Sequence, residues 1–280
     1  MFTPAITQSG LGGWTLLKAT YDRQLETYSS NSQVNADATY LKERLASPMS
    51  LESFLDDRRL LRISLTAFGL EGEEWKRGFI EKVLQESTLP QSPFLSRLRN
   101  PDYIAFAEAF SPQDGQINLS ETQTEAIRDD FEAASFRLAV GEVDNDMRLA
   151  LNYEARIGDL AQSTSTDEAI VFKLLGNVPM RTVLETALNL PSDLNKLNIE
   201  KQSEILRDRV ATTLGVRQLS DLAETGVVER VIERFHAMQA ISNGSQDFTP
   251  ASVALTLLGG GNGLGATASQ NLFMSQIAIV

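Results

Sequence analysis

The sequence predicts an all-α protein: a multi-helix bundle built from two divergent related halves joined by a long central helical segment. Three observations carry this reading. Apolar residues recur at three- and four-residue spacing wherever a core face can be traced, while alternating runs of β-branched residues are almost absent. From Ser120 there is no proline until Pro179, so no residue of that type interrupts a helical middle. Paired segments also return in the same order. Thr66-Ala67-Phe68-Gly69-Leu70 reappears 120 positions later as Thr186-Ala187-Leu188-Asn189-Leu190, and Leu95-Ser96-Arg97-Leu98 reappears 124 positions later as Leu219-Ser220-Asp221-Leu222.

The body opens over residues 14–28, where Trp14, Leu17, Tyr21 and Leu25 line one helical face, and continues over 35–45 after a Ser/Asn break. Ser50 stands as a hydroxyl cap before Phe54 and Leu55. Asp56-Asp57 then leads into a helix over 58–68, with Leu61, Leu65 and Phe68 on one face and Gly69 as a left-handed stop. Residues 73–85 follow, their acidic first turn suited to the helix dipole and Trp75, Phe79, Ile80, Val83 and Leu84 on the apolar side. Beyond Pro90 and Pro93 lies a short helical turn over 94–98, and Asn100-Pro101-Asp102 caps a helix over 103–110. The loop 111–115, Ser-Pro-Gln-Asp-Gly, is the best internal boundary. In the central segment Ile127, Phe131, Ala134 and Leu138, then Met147, Leu151 and Ala155, keep helical spacing. Gly141 would kink one long helix, whereas Asp144-Asn145-Asp146 would cap a second one, and the pattern accommodates both. A helix over 200–214 then occupies the place in the second half that 73–85 occupies in the first.

These features divide the chain into a flexible N-terminal tail (1–13), a first helical half (14–118), a central segment with the second half (119–258), and a Gly-rich hinge with an apolar tail (259–280). Residues 1–13 contain no Lys or Arg, so no cleavable signal peptide is expected. No window approaches the ~20 apolar residues that a membrane helix needs, and no integral membrane segment is expected.

Composition excludes several kinds of chemistry. With 25 Lys+Arg against 37 Asp+Glu the net charge is −12, which argues against nucleic acid or an anionic membrane as the main partner. The absence of cysteine removes disulfides, thiolate metal sites and cysteine nucleophiles together. With His236 as the single histidine, neither a two-histidine metal site nor a Glu-x-x-His di-metal bundle can form. His236 lies on an amphipathic helix with Val228, Val231 and Ile232 and reads as a hydrogen-bonded structural histidine. Asp144-Asn145-Asp146 lacks the turn glycine and the bidentate Glu of a calcium loop, so capping is its expected role. Asp56-Asp57-Arg58-Arg59 reads as capping and ion pairing. Gly261, Gly263 and Gly265 have only 15 residues after them, too few for a dinucleotide fold, and read as a linker. No catalytic, cofactor-binding or metal-ligating residue is expected, and no cofactor.

The runs Phe54 to Leu61, Thr66 to Leu70, Phe79 to Leu84 and Tyr103 to Phe110, continuing through Met147-Arg148, Thr186 to Pro191 and Ile232 to Phe235, carry a family likeness. Over most of the chain except its two tails, the sequence resembles the bacterial domain of unknown function 1217 family. That resemblance implies an alphaproteobacterial protein, often encoded among flagellar genes, and it brings no catalytic residues with it. The expected function is a non-enzymatic structural or protein-interaction role linked to flagellar assembly or motility, in the cytoplasm or after export through the flagellar secretion apparatus. Protein partners, flagellar components among them, would be bound through exposed apolar helix faces and through Leu272, Phe273 and Ile277 of the C-terminal tail. The alternative is a cytoplasmic enzyme or small-molecule-binding module with a polar pocket between the halves.

Overall fold

Side-chain caps delimit the helices. The structure, a computed structural model, describes residues 3–89, 92–98, 100–162 and 166–242. The glycine run and the expected binding residues Leu272, Phe273 and Ile277 lie outside these. Among the described residues the chain forms twelve α-helices: α1 (Gly10–Ser29), α2 (Ser32–Leu45), α3 (Leu51–Asp56), α4 (Arg58–Ala67), α5 (Arg77–Glu86), α6 (Pro101–Ala109), α7 (Glu121–Val143), α8 (Asn145–Gln162), α9 (Asp167–Gly176), α10 (Val178–Ala187), α11 (Ile199–Leu214) and α12 (Thr225–Ser242). Short 3-10 turns at Glu74–Lys76, Leu95–Arg97, Ser192–Lys196 and Leu219–Ala223 connect some of them. Side-chain oxygens of Asn31, Ser50, Asp57, Asn100, Ser120, Thr166, Asn177 and Asn198 accept backbone N–H groups at helix starts, satisfying donors that have no partner within the helix. The class is therefore all-α, with one departure. Strands β1 (Met49–Ser50) and β2 (Gln116–Ile117) pair antiparallel, Met49 opposite Ile117, and tie the loop at Asp114-Gly115 to the start of α3. None of the described helices is long and apolar enough to cross a membrane.

The middle of the chain is two helices. At Asp144 the backbone leaves helical geometry (φ −148°, ψ 107°), and its Oδ1 accepts N–H bonds from Asp146 at 2.9 Å and Met147 at 3.1 Å. Gly141 stays helical within α7, and its role is clearance. A Cβ there would lie 2.3 Å from Arg148 Cδ, so the missing side chain lets α8 fold back beside the end of α7.

The beginning of the chain also differs from expectation. Helix α1 starts at Gly10, four residues before Trp14, and residues 3–9 lie against the body rather than trailing from it. Pro4 is buried, Ile6 packs on the core and the Ala5 amide donates to Gln24 Oε1 at 2.7 Å. Gln8 crosses so close to Gly13 that a Cβ would sit 1.7 Å from its carbonyl oxygen.

Among the described residues two apolar cores form. One gathers buried side chains from Val34 through Phe131, including Phe54, Phe106 and Phe110. The other runs from Phe136 through Phe235 and takes in Trp14 and Leu17 of α1. The division falls inside α7, between Phe131 and Phe136, not at the loop before residue 119.

The repeated segments take up the same local geometry. Helices α4 and α10 are each ten residues long and start 120 positions apart, capped by Asp57 and Asn177. Leu60 and Met180, Ile63 and Val183, and Ala67 and Ala187 are buried at matching positions. Both helices end through the same pair of backbone bonds, Gly69 N to Thr66 O with Leu70 N to Leu65 O, and Asn189 N to Thr186 O with Leu190 N to Glu185 O. Gly69 (φ +70°) and Asn189 (φ +50°) occupy the left-handed position. Afterwards the order 3-10 turn, helix, 3-10 turn, helix recurs, with longer helices in the second half.

Gly69 and Asn189 are thus equivalent stops with unequal surroundings. Gly69→Ala should lower stability by about 1–2 kcal/mol for the left-handed backbone alone, and further because its Cβ would meet Arg156 Nη2 at 2.7 Å. Asn189→Gly should change stability by less than about 0.5 kcal/mol. Urea unfolding midpoints of the two variants check the asymmetry.

Candidate functional site

Where the halves meet, three polar side chains converge. Asp102 belongs to the first turn of α6, placed there by Pro101 at the helix start and by Asn100, whose Oδ1 accepts the Asp102 amide at 2.9 Å. From the second half, Arg156 of α8 donates Nη1–H to Asp102 Oδ1 at 2.5 Å. Asn177 donates Nδ2–H to Asp102 Oδ2 at 3.1 Å while its own Oδ1 caps α10 by accepting the Met180 amide. Asp102 and Asn177 are 7% and 3% exposed, so neither can turn to water for a replacement partner. The Arg156 guanidinium fits because residue 69 has no side chain.

Burial pushes the Asp102 carboxyl up to about 6, against the pull of Arg156 and with an added push from Glu71. Both of its oxygens face donors, so the ionised form is the one the junction is built to hold. Nearby charges extend the cluster. Burial raises Asp130 against the pull of Arg137 and Arg156, and burial lowers Arg137, which hydrogen-bonds Tyr21. The arrangement joins helices. At this burial Asp102 offers little surface to a ligand.

Open grooves occur elsewhere. The larger, of about 530 Å3, runs beside the α1–α2 turn and α7 and is lined by Asp22, Glu26, Asp129 and Glu132 among others. A second is lined by residues 196–204. Neither contains Asp102, Arg156 or Asn177, and no group of acidic or histidine side chains among the described residues could hold a metal ion.

The residues singled out from sequence take separate places. Asp57 caps α4 through Leu60 N at 3.0 Å and also binds Tyr40 and Arg44, Asp56 pairs with Arg77, and Arg59 binds Asp37 while its guanidinium lies over Tyr40. His236 is buried as expected, but among the described residues Nε2 has no hydrogen-bond partner. Instead the ring packs against Trp14 at 5.7 Å and Phe235 at 5.3 Å between centroids. Sequence reading missed the Asp102 junction. Its only local trace was a cap at Asn100-Pro101-Asp102, since Arg156 lies 54 residues away.

If the junction couples the halves, Arg156→Met should cost about 3–5 kcal/mol by stranding a buried carboxylate, and Asp102→Ala a comparable amount. The double variant should cost clearly less than the sum. Urea unfolding of the four proteins tests this, and additive costs would show that the pair is uncoupled.

Comparison with known proteins adds a family and a fold. The family model described as "Protein of unknown function (DUF1217)" matches residues 67–228, from the end of α4 into α12. A crystal structure of a protein from Agrobacterium tumefaciens is similar, with a TM-score of 0.67 and 22% sequence identity over 87% of this chain and 98% of that one. At that identity the likeness concerns the fold alone. No curated protein matches.

Proposed function

The chain belongs to the DUF1217 family of proteins of unknown function, and from that premise we propose a non-enzymatic structural or protein-interaction protein that serves flagellar assembly or motility. The observation that supports an interaction role is the contrast between its polar and apolar groups. The convergent polar side chains at the junction are consumed by the fold, whereas large apolar side chains stand in water. Phe172 of α9 is 52% exposed and Val178, at the start of α10, 69%, so adjoining helices present apolar groups to solvent. Trp75 is 77% exposed on its 3-10 turn. Side chains of this kind suit contact with another protein, where aromatic groups contribute most per residue. The flagellar part of the proposal draws on the family resemblance, on the absence of cysteine, and on the apolar C-terminal sequence with Leu272, Phe273 and Ile277.

The test is a clean deletion in the source bacterium, scored for swimming, with the tagged protein followed in cells and in the secreted fraction. Loss of swimming is expected. Protein in the secreted fraction would identify an exported part, and protein confined to cells an assembly factor. A complementing Phe172→Ser/Val178→Ser chain should fold with an unchanged melting temperature, within about 3 °C, yet fail to restore motility. Normal swimming of the deletion strain would overturn the proposal.

A further inference from the structure

Helix α1 is joined to α2 of the first half by the short turn at Ser30-Asn31, but its Trp14 and Leu17 are buried in the core of the second half. It is therefore a strap across the molecule. The strap is fastened at its N-terminal end by Trp14 against the His236 ring and by Gly13 against Met147, and further along by Lys18, which pairs with Glu154 of α8 at 2.7 Å. His236 is the single histidine of the chain, 1% exposed, with Nε2 unpartnered among the described residues and aromatic rings on two sides. An imidazolium cannot be accommodated in those surroundings without losing its hydration.

We propose that α1 is a proton-sensitive strap, docked on the second half while His236 is neutral and released at its Trp14 end when His236 takes up a proton.

The charges around the ring do not offset protonation. Asp144, at the break between α7 and α8, is the charge that bears on it. Asp144 is already engaged, since its Oδ1 accepts the amides of Asp146 and Met147. Several charged side chains on the elements packed against α12 have partners of their own. On α8, Asp146 accepts from Gln239, and on α1, Lys18 is held by Glu154. On α10, Arg181 pairs with Glu185, on α11, Lys201 pairs with Glu204 and Arg207 reaches Glu168, and in the 3-10 turn Asp221 accepts the Ser220 hydroxyl. On α12 itself Arg234 donates to the Ala187 carbonyl. Burial accordingly pushes the imidazole down to about 4 from its ordinary 6.5, with Asp144 pulling weakly the other way. A histidine with a depressed folded pKa stabilises docking fully above 6.5, and that contribution is lost as pH falls from 6.5 towards 4. At pH 5 the opening equilibrium of α1 should be about 30-fold larger than at pH 8.

Trp75 is exposed and Trp14 is the other tryptophan, so Trp75→Phe leaves Trp14 as the sole reporter of the docked strap. In that variant, Trp14 emission should shift to the red as pH falls from 8 to 4.5. Hydrogen exchange at pH 5, corrected for its intrinsic rate, should rise in α1 by about 30-fold while α10 keeps its protection. Adding His236→Phe should abolish the emission change. Because that substitution can itself disturb packing, the imidazole of the unaltered chain is titrated by NMR as well, its resonance being unambiguous. A pKa near 4 is expected. Emission that does not respond to pH, an identical response without His236, an imidazole titrating near 6.5, or loss of α10 protection together with α1 would each overturn the strap.

Discussion

Two apolar cores in one chain set a problem that burial alone cannot solve. Removing hydrocarbon from water stabilises each core, but it is non-directional and says little about how one packed body is oriented on another. In this protein the direction comes from the contact of Asp102 with Arg156 and Asn177. One carboxylate from the start of α6 receives donors from α8 and from the cap of α10, so three helix positions in two halves must coincide. Any slippage would leave a buried charge or amide without a partner. The glycine at position 69 belongs to the same constraint, because the guanidinium occupies the space a side chain would take.

Around that contact, two helices carry the mechanical connection. α7 contributes Ile127 and Phe131 to one core and Phe136 and Val140 to the other, so it is a shared beam whose halves answer to different surroundings. α1 crosses in the opposite sense, tethered to the first half through the chain and to the second through its buried face. The break at Asp144 and the clearance at Gly141 let α8 return beside α7 and bring Arg156 to the junction.

The two halves show how a repeat diverges under local demands. α4 and α10 keep their length, their side-chain caps and their left-handed stops. Yet one stop is glycine, pressed against Arg156, and the other is an exposed asparagine, which tolerates the same backbone. The caps diverged in use as well. Asp57 spends its second oxygen on Tyr40 and Arg44 within its own half, whereas Asn177 reaches across to Asp102.

Much of this was legible in the amino-acid order, and the reason is range. Helical class, the caps at Ser50, Asp57 and Asn100, the stop at Gly69 and the echo at offset 120 depend on residues within a few positions of one another, so periodicity and turn chemistry declare them. Asp144 was legible as one of two outcomes. Its geometry with Asp146 and Met147 decided for two helices. What depends on distant partners carried no local mark. Asp102 looked like a cap residue and His236 like a hydrogen-bonded core histidine, and Arg156 gave no signal at all. Residues 3–9 had the composition of a tail, yet a carbonyl packed over Gly13 holds them to the body. The sequence by itself determined the helical class, most helices of the first half with several of their caps and stops, and that two helices are variants of one design, because these are short-range matters of backbone and cap. Only the tertiary structure decided which helices share a core, that α1 fastens on the far half, and that one aspartate joins the two, because such choices are made by packing and desolvation between residues far apart in the chain.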